Sequence, residues 1–241
     1  MRYPVLQLAF AFFLTLTVTS CTAVFSDVYA TWDYATQQQD DATLSADEIE
    51  AFPYTAVYVR RGQSPRALVV LGYIDGQDEL ANYSWVTADA ETLVTRHGRL
   101  IKTSEIEPEL IGRSGLAADP LRCIQRQLAH SGFTSSSTEC EVQWRSELDL
   151  EEQGKPYSIE VTSEFSMGAV ERLSLPFGEV SAIRVTETQT FASSEVGPQQ
   201  RQENVFWLEA DGHVVKSIQY FAPKQSPVEI SQVKWVGRSY E

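Results

Sequence analysis

Three histidines, three cysteines and two methionines are all that 241 residues offer in soft or redox-active side chains. His97, His130 and His213 stand far apart, and none is spaced from another His or Cys as a metal ligand would be, so no metal site is expected. The absence of a C-x-x-C pair removes dithiol redox chemistry. Gly112-Arg113-Ser114-Gly115 fails the G-x-S-x-G pattern, and Ser231-Gln232-Val233-Lys234 matches S-x-x-K only inside an expected strand. There is no glycine-rich phosphate loop, and no cofactor is expected. Basic residues are also scarce: 19 Lys and Arg face 33 Asp and Glu, for a net charge of −14. A surface of that sign repels nucleic acid. So many carboxylates hide any acid–base pair among them, and nothing singles out a glycosidase site. The balance of motifs favours a protein that is not an enzyme.

Long apolar runs are confined to the start. Arg2 supplies a positive charge, and Val5 to Val18 is apolar except for Gln7, Thr15 and Thr17. A membrane-spanning helix needs about 20 apolar residues, so this run reads instead as a signal segment, residues 1–20. It ends in Val18-Thr19-Ser20-Cys21, which resembles the bacterial lipobox: a branched residue, two small ones, then a cysteine that is acylated. Export and lipidation at Cys21 follow, with the membrane reached through the lipid. Two or more acyl chains hold a protein stably on a bilayer. Thr22 is not the Asp that retains enteric-type lipoproteins in the inner membrane, which favours the outer membrane with the domain facing the periplasm.

Residues 21–44 read as a lipidated tether. Phe25, Val28, Tyr29 and Trp32 fall at i, i+3, i+4 and i+7, one face of a short helix from about Ala23 to Ala35. That stripe either packs on the protein's own domain or docks against a membrane partner. Residues 45–241 read as a single β-rich domain. Ser45-Ala46-Asp47-Glu48 is a capping box opening a short helix that Pro53 stops. Strands are expected at Tyr54 to Val59, Ala67 to Ile74, Tyr83 to Thr87, Thr92 to Arg96 and Arg99 to Thr103, the last two joined at His97-Gly98. Glu105 to Leu128 is less regular, with room for short helices. Clear alternation resumes at Val142, Trp144 and Leu148, with Ser146 the odd residue on the inward face, and again at Ile159, Val161 and Phe165. Ile183 and Val185 continue it, and Val205 to Leu208 pairs across Asp211-Gly212 with Val214 to Phe221. Val228 and Ile230 are out of phase with Val233 and Trp235, which predicts a bulge. The fold class is mainly β: an antiparallel sandwich or open barrel with a few short helices. Gly98 to Thr103 and Gly212 to Ser217 echo one another, each downstream of a tryptophan. Trp85, Trp144, Trp207 and Trp235 are expected mostly in the core, with a sugar-stacking platform as the alternative. Cys123 and Cys140, in an oxidising compartment, read as a disulfide closing a polar loop.

Several blocks carry a family resemblance. They are Leu44-Ser45-Ala46-Asp47-Glu48-Ile49, Ala67-Leu68-Val69-Val70-Leu71, Trp85-Val86-Thr87 and, above all, Thr92-Leu93-Val94-Thr95-Arg96-His97-Gly98-Arg99-Leu100-Ile101-Lys102-Thr103. With Leu116 to Leu121 and the Trp207 to Tyr220 hairpin, the chain resembles the YjbF/GfcB lipoproteins, the group 4 capsule polysaccharide lipoprotein family. The resemblance implies a non-catalytic accessory role in assembling or exporting capsule or exopolysaccharide. It also implies an outer-membrane β-barrel export protein and a periplasmic protein of the same system as partners, with the polysaccharide as a further candidate. It carries over no catalytic residue, and Cys123 and Cys140 are not part of it. A periplasmic enzyme trimming the polymer and a lipid-binding module are the alternatives.

Overall fold

The computed structural model describes residues 40–77, 80–87, 91–134, 140–192 and 200–238. The signal segment, Cys21 and the Phe25, Val28, Tyr29 and Trp32 stripe lie outside the described residues.

Among the described residues the chain enters along the outside of a sheet. Asp41 pairs with Arg60 and accepts the Arg66 backbone N–H at 2.9 Å, and the Leu44 N–H donates to the Tyr58 hydroxyl at 2.6 Å. Helix α1 (Ala46–Ala51) follows, started by the expected capping box: the Glu48 N–H donates to Ser45 Oγ, and Glu48 Oε2 accepts the Ser45 N–H at 2.7 Å. Phe52, which precedes Pro53, is extended at φ −65° and ψ 122°, because the proline ring disfavours helical geometry in the residue before it.

Twelve antiparallel strands then form one sheet. They are β1 (Ala56–Arg61), β2 (Ala67–Asp75), β3 (Asn82–Val86), β4 (Thr92–Arg96), β5 (Arg99–Ser104), β6 (Glu109–Arg113), β7 (Gln143–Glu152), β8 (Lys155–Leu175), β9 (Gly178–Phe191), β10 (Gln200–Leu208), β11 (Val214–Gln219) and β12 (Val228–Lys234). The spatial order is 5-4-3-2-1-12-11-10-9-8-7-6, so the sheet curls until β5 and β6 come together. Side chains bridge that seam where the ladder does not. The Leu110 N–H donates to Thr103 Oγ1 at 2.8 Å, and the Glu105 N–H donates to Glu109 Oε1 at 2.7 Å. The result is a nearly closed barrel, which settles the choice between sandwich and open barrel. The predicted break in the last strand sits opposite Ala56 and Val57, which pair with Lys234 and Gln232 and leave Val233 as the extra residue.

The region expected to be irregular holds more order than its sequence suggests. It contains β6, a 3₁₀ turn at Leu116–Ala118 and a twelve-residue helix, α2 (Pro120–Ser131). Asp119 caps α2 by accepting the Leu121 N–H at 3.0 Å, Pro120 occupies the first turn where no N–H is needed, and Gly132 ends the helix at φ 59°. Cys123 in α2 and Cys140 beyond it are joined as a disulfide, with Cα atoms 5.7 Å apart.

The barrel is filled. Alternate residues of a strand share a face, and on β7 one face carries Trp144, Ser146, Leu148 and Leu150, all buried. One core cluster joins Val57, Leu93, Leu148, Val161 and Phe191; another packs Leu121, Ile124 and Leu128 of α2 onto Trp144, Phe165, Val185 and Phe206. Burying each large apolar side chain stabilises by roughly 1.5–3 kcal/mol, which is why α2 stays seated in one end of the barrel. The outer face is charged: Arg145, Glu147, Glu160 and Glu164 are exposed, and Glu147 lies directly across from Glu160. The long β8–β9 hairpin overshoots the barrel and bends back, with Leu175 and Phe177 packing toward Val215 and Trp207.

Candidate functional site

Between the two apolar clusters lies a buried polar network that begins at the β4–β5 turn. Arg99, the first residue of β5, has no exposed surface. Its Nη2 donates to Asp119 Oδ1 at 2.9 Å and its Nη1 to Glu187 Oε2 at 2.7 Å. Glu187 on β9 also accepts from Ser163 Oγ at 2.7 Å and Asn204 Nδ2 at 3.0 Å. Burial alone would raise the Glu187 pKa. The guanidinium charges of Arg99 and Arg113, with the hydrogen bonds from Arg99 and Ser163, outweigh it and hold the carboxyl at about 2. Burial also works against the Arg99 charge, but Asp119 and Glu187 more than compensate and raise its pKa above the ordinary arginine value. Half-buried Arg113 lies 5.0 Å from the Trp144 ring centroid, and Arg99 lies 4.7 Å from the same centroid. Burial and then the Arg99 charge lower the Arg113 pKa to about 10. Five elements (the β4–β5 turn, the α2 cap, β8, β9 and β10) are thus tied together inside the barrel.

Above this network a cavity of about 360 Å³ opens at the end of the barrel that α2 occupies. Two hairpin turns form its rim: His97-Gly98 between β4 and β5, and Asp211-Gly212-His213 between β10 and β11. These are the two segments whose sequences echo one another, and they meet in space. Gly98 (φ 81°) leaves no room for a Cβ, which would sit 2.6 Å from Val214 Cβ, and a Cβ on Gly212 (φ 82°) would strike the Gln125 carbonyl. The carbonyls of the first turn are held from both sides: Gln125 Nε2 donates to His97 O and Gln219 Nε2 to Gly98 O, each at 2.8 Å.

One wall of the cavity is aromatic. Trp235 stands at the centre, with Tyr83 at 5.4 Å, Trp85 at 6.1 Å and His213 at 4.7 Å between ring centroids. Trp85 is buried and donates from Nε1 to Thr95 Oγ1 at 2.9 Å, whereas Tyr83 and Trp235 are half-buried. His213 Nε2 lies 2.5 Å from Gln232 Oε1, and burial lowers its pKa, so the ring is neutral at neutral pH. The opposite wall is the face of α2 bearing Arg122, Gln125, Arg126 and Ala129. Arg238 bridges Glu209 at 2.5 Å and Asp211 at 2.7 Å and so braces the rim. Lys216, another lining residue, pairs through its ammonium with Glu229 at 2.7 Å.

The four tryptophans divide accordingly: Trp144 and Trp85 are core residues, Trp235 lines the cavity, and half-buried Trp207 sits under the β8–β9 hairpin. Sequence reasoning treated His97 and His213 only as turn residues and missed both as cavity residues. Their position beside the two echoing glycines was the available signal. Among the described residues no group of three His, Cys, Asp or Glu side chains is placed to hold a metal ion. The rim carboxylate Asp211 is held by Arg238, and among the described residues of the cavity lining there is no second carboxylate to pair with it as acid and base.

The segment that joins the barrel at Asp41 does so beside the β1–β2 turn, where Ala42 N–H donates to Arg66 O at 2.7 Å. That is the end of the barrel opposite the cavity, because β1 runs from the cavity end at Ala56 to Arg61 at the other.

A sequence profile described as group 4 capsule polysaccharide lipoprotein, GfcB and YjbF, matches residues 29–233. The uncharacterized lipoprotein GfcB of Escherichia coli (strain K12) is 26% identical over 232 residues, covering 96% of this chain and 98% of that one. The uncharacterized lipoprotein YjbF of the same strain is 29% identical over 192 residues, 79% of this chain and 80% of its own length. Among solved structures, the hypothetical lipoprotein YmcC from E. coli (K12) superposes with a TM-score of 0.65 at 27% identity, over 81% of this chain and 91% of that one.

Proposed function

The chain belongs to the group 4 capsule polysaccharide lipoprotein family, and from that premise we propose that it is a non-catalytic accessory lipoprotein in the assembly or export of a capsule or exopolysaccharide. Residues 1–20 are removed on export, lipid on Cys21 holds the protein to the inner leaflet of the outer membrane, and residues 21–39 form a tether, shorter than the sequence suggests because Asp41, Ala42 and Leu44 are already held on the barrel, which works in the periplasm. It acts beside an outer-membrane β-barrel export protein and a periplasmic protein of the same system. Phe25, Val28, Tyr29 and Trp32 form the stripe that meets the membrane partner.

The observation that carries this reading is the filled, outwardly charged barrel. A polymer conduit in the outer membrane has an apolar band facing lipid and an open lumen. Here Arg145, Glu147, Glu160 and Glu164 face outward, and the lumen is occupied by α2, the Arg99 network and two apolar clusters. Such a barrel assists a conduit; it does not form one. The lipid anchor then raises the local concentration of the domain beside its membrane partner.

Complementation tests it. In a strain lacking the gene, the wild-type gene should restore surface polysaccharide, and the Cys21→Ala form should remain unlipidated and fail to restore it. Full restoration by a processed, unlipidated Cys21→Ala protein would remove the anchor from the function.

A further inference from the structure

The cavity at the α2 end of the barrel holds about 360 Å³, within the range of about 300–1,000 Å³ that small-molecule sites occupy. Its most distinctive wall is aromatic. Trp235 stands there with Tyr83, Trp85 and His213 around it. Trp85 is only 4% exposed, as a core tryptophan should be, whereas Tyr83 and Trp235 are half-buried and keep accessible surface. The lip beside them is set before any ligand arrives. A Cβ on Gly98 would lie 2.6 Å from Val214 Cβ, and glutamine amides hold the His97 and Gly98 carbonyls. A site whose walls are already in place loses little entropy on binding.

The charged groups of the lining are already engaged within the protein. Arg238 is held by Glu209 and Asp211, Lys216 by Glu229, and Arg122 and Arg126 on α2 also have partners. An anionic ligand would have to compete with those contacts. An ammonium ligand would meet these four cationic side chains against the single carboxylate of Asp211. Both considerations favour an uncharged ligand, and His213 narrows the choice. Gln232 Oε1 can only accept, so its contact with His213 Nε2 at 2.5 Å places the ring proton on Nε2. In the neutral ring Nδ1 is then an acceptor without a proton of its own. A hydroxyl supplies the donor that such an acceptor needs, and a carboxylate does not. Pyranose rings unite the two requirements: a C–H face that packs on aromatic rings, and hydroxyl edges that donate.

We infer that the cavity binds an uncharged pyranose, with the C–H face of the sugar on Tyr83 and Trp235 and a hydroxyl donating to His213 Nδ1. The choice of a sugar among uncharged hydroxyl compounds rests on the polysaccharide-export reading; the aromatic wall and the acceptor beside it do not. The two glycine turns that echo one another in sequence then form the lip of one sugar site.

The test uses full-length lipidated protein in a detergent without a sugar head group, read by calorimetry and by tryptophan fluorescence. It is titrated with the methyl glycosides of glucose, galactose, mannose and N-acetylglucosamine. Methyl glucuronide, methyl galacturonide and glucosamine serve as charged counterparts. At least one neutral glycoside should bind in the millimolar range and change the fluorescence, with every charged counterpart at least about tenfold weaker, which is about 1.4 kcal/mol. In the wild-type protein, NMR saturation transfer from aromatic protons should reach the C–H protons of one face of the sugar. Trp235→Leu should weaken binding at least about tenfold. His213→Phe, which keeps a ring against Trp235 but has no acceptor, should weaken it at least about fivefold. Melting temperatures of both variants show whether they fold, and where one does not, the wild-type saturation transfer decides. A charged counterpart within about tenfold of the best neutral sugar would overturn the uncharged assignment. Equal transfer to both faces of the sugar, or full affinity in either variant, would overturn the placement. Binding of none of the four neutral glycosides below about 10 mM would overturn the site altogether. If deletion of the gene abolishes export while none of them binds, the export role stands and this inference falls. If a neutral glycoside binds as expected while deletion leaves export normal, the site stands and the export role falls.

Discussion

Arg99 and Glu187 are 88 positions apart in the chain and meet at 2.7 Å inside the barrel, with no exposed surface on either side chain. Their contact ties the turn that forms one lip of the cavity to β9, the second arm of the long hairpin. The second contact of Arg99, to the α2 cap Asp119, seats the plug helix against the same turn. Removing one partner of a buried ion pair leaves an unmatched charge, which costs about 3–5 kcal/mol. Arg99→Met should therefore lower the unfolding free energy of the protein by that amount in denaturant titration. A loss under about 1 kcal/mol would show that the network is not a structural link.

The same carboxyl sets the response to acid. Glu187 titrates at about 2 in the folded protein against 4.5 ordinarily, so the folded state binds its proton later than the unfolded chain does. The stability this confers is fully present above about pH 4.5 and is lost as pH falls toward 2, a change on the order of 3 kcal/mol. Wild-type protein should lose stability through that window. Glu187→Gln should be weaker at neutral pH but flatter in acid. Parallel pH profiles for the two proteins would assign the acid response to other groups.

Gly212 turns the β10–β11 hairpin in the left-handed region against the backbone of α2. Because the obstacle is a peptide carbonyl, no side-chain movement relieves it. Gly212→Ala should destabilise by about 1–3 kcal/mol, seen as a lowered melting temperature. Unchanged melting would mean that the turn and α2 are not in contact.

The Cys123–Cys140 bond spans 17 residues between α2 and the approach to β7. In the chain-entropy model a loop of that size stabilises by about 3 kcal/mol. Non-reducing mass analysis of protein taken from the envelope should show one intramolecular bond, and reduction should lower the melting point. Two free thiols in that material would exclude it.

The strand pattern was legible because alternating residues bury one face: Trp144, Leu148, Ile159, Val161 and Val185 are all inward. The bulge near Val233 could be read from a break in that period. Ser146 looked out of place, yet it is buried on the inward face. Glu187 and Gln189 follow Val185 on the same face and are buried too. Periodicity assigns charged residues to the outside, and it takes partners far off in the chain, Arg99 at 88 positions with Ser163 and Asn204, to make Glu187 tolerable within. The helix α2 was blurred by the prolines and glycines around it, although Asp119-Pro120 is a capping signal and Leu121, Ile124 and Leu128 share one helical face. Strand β6 has only five residues, one of them Gly112, and its pairing with β7 shifts between Leu110 and Gly112, so no clean alternation marks it. The cavity could not be foreseen at all, because its walls come from strands β1, β3 and β12, two hairpins, one helix and the residues Trp235 and Arg238 after the last strand.

The most direct measurement separates surface, periplasmic and cytoplasmic polysaccharide in a strain lacking the gene and compares amount and chain length with the parent. An accessory export role predicts less polymer at the surface, with polymer retained inside the envelope, and recovery when the wild-type gene is returned. Unchanged surface polymer of unchanged length would contradict it.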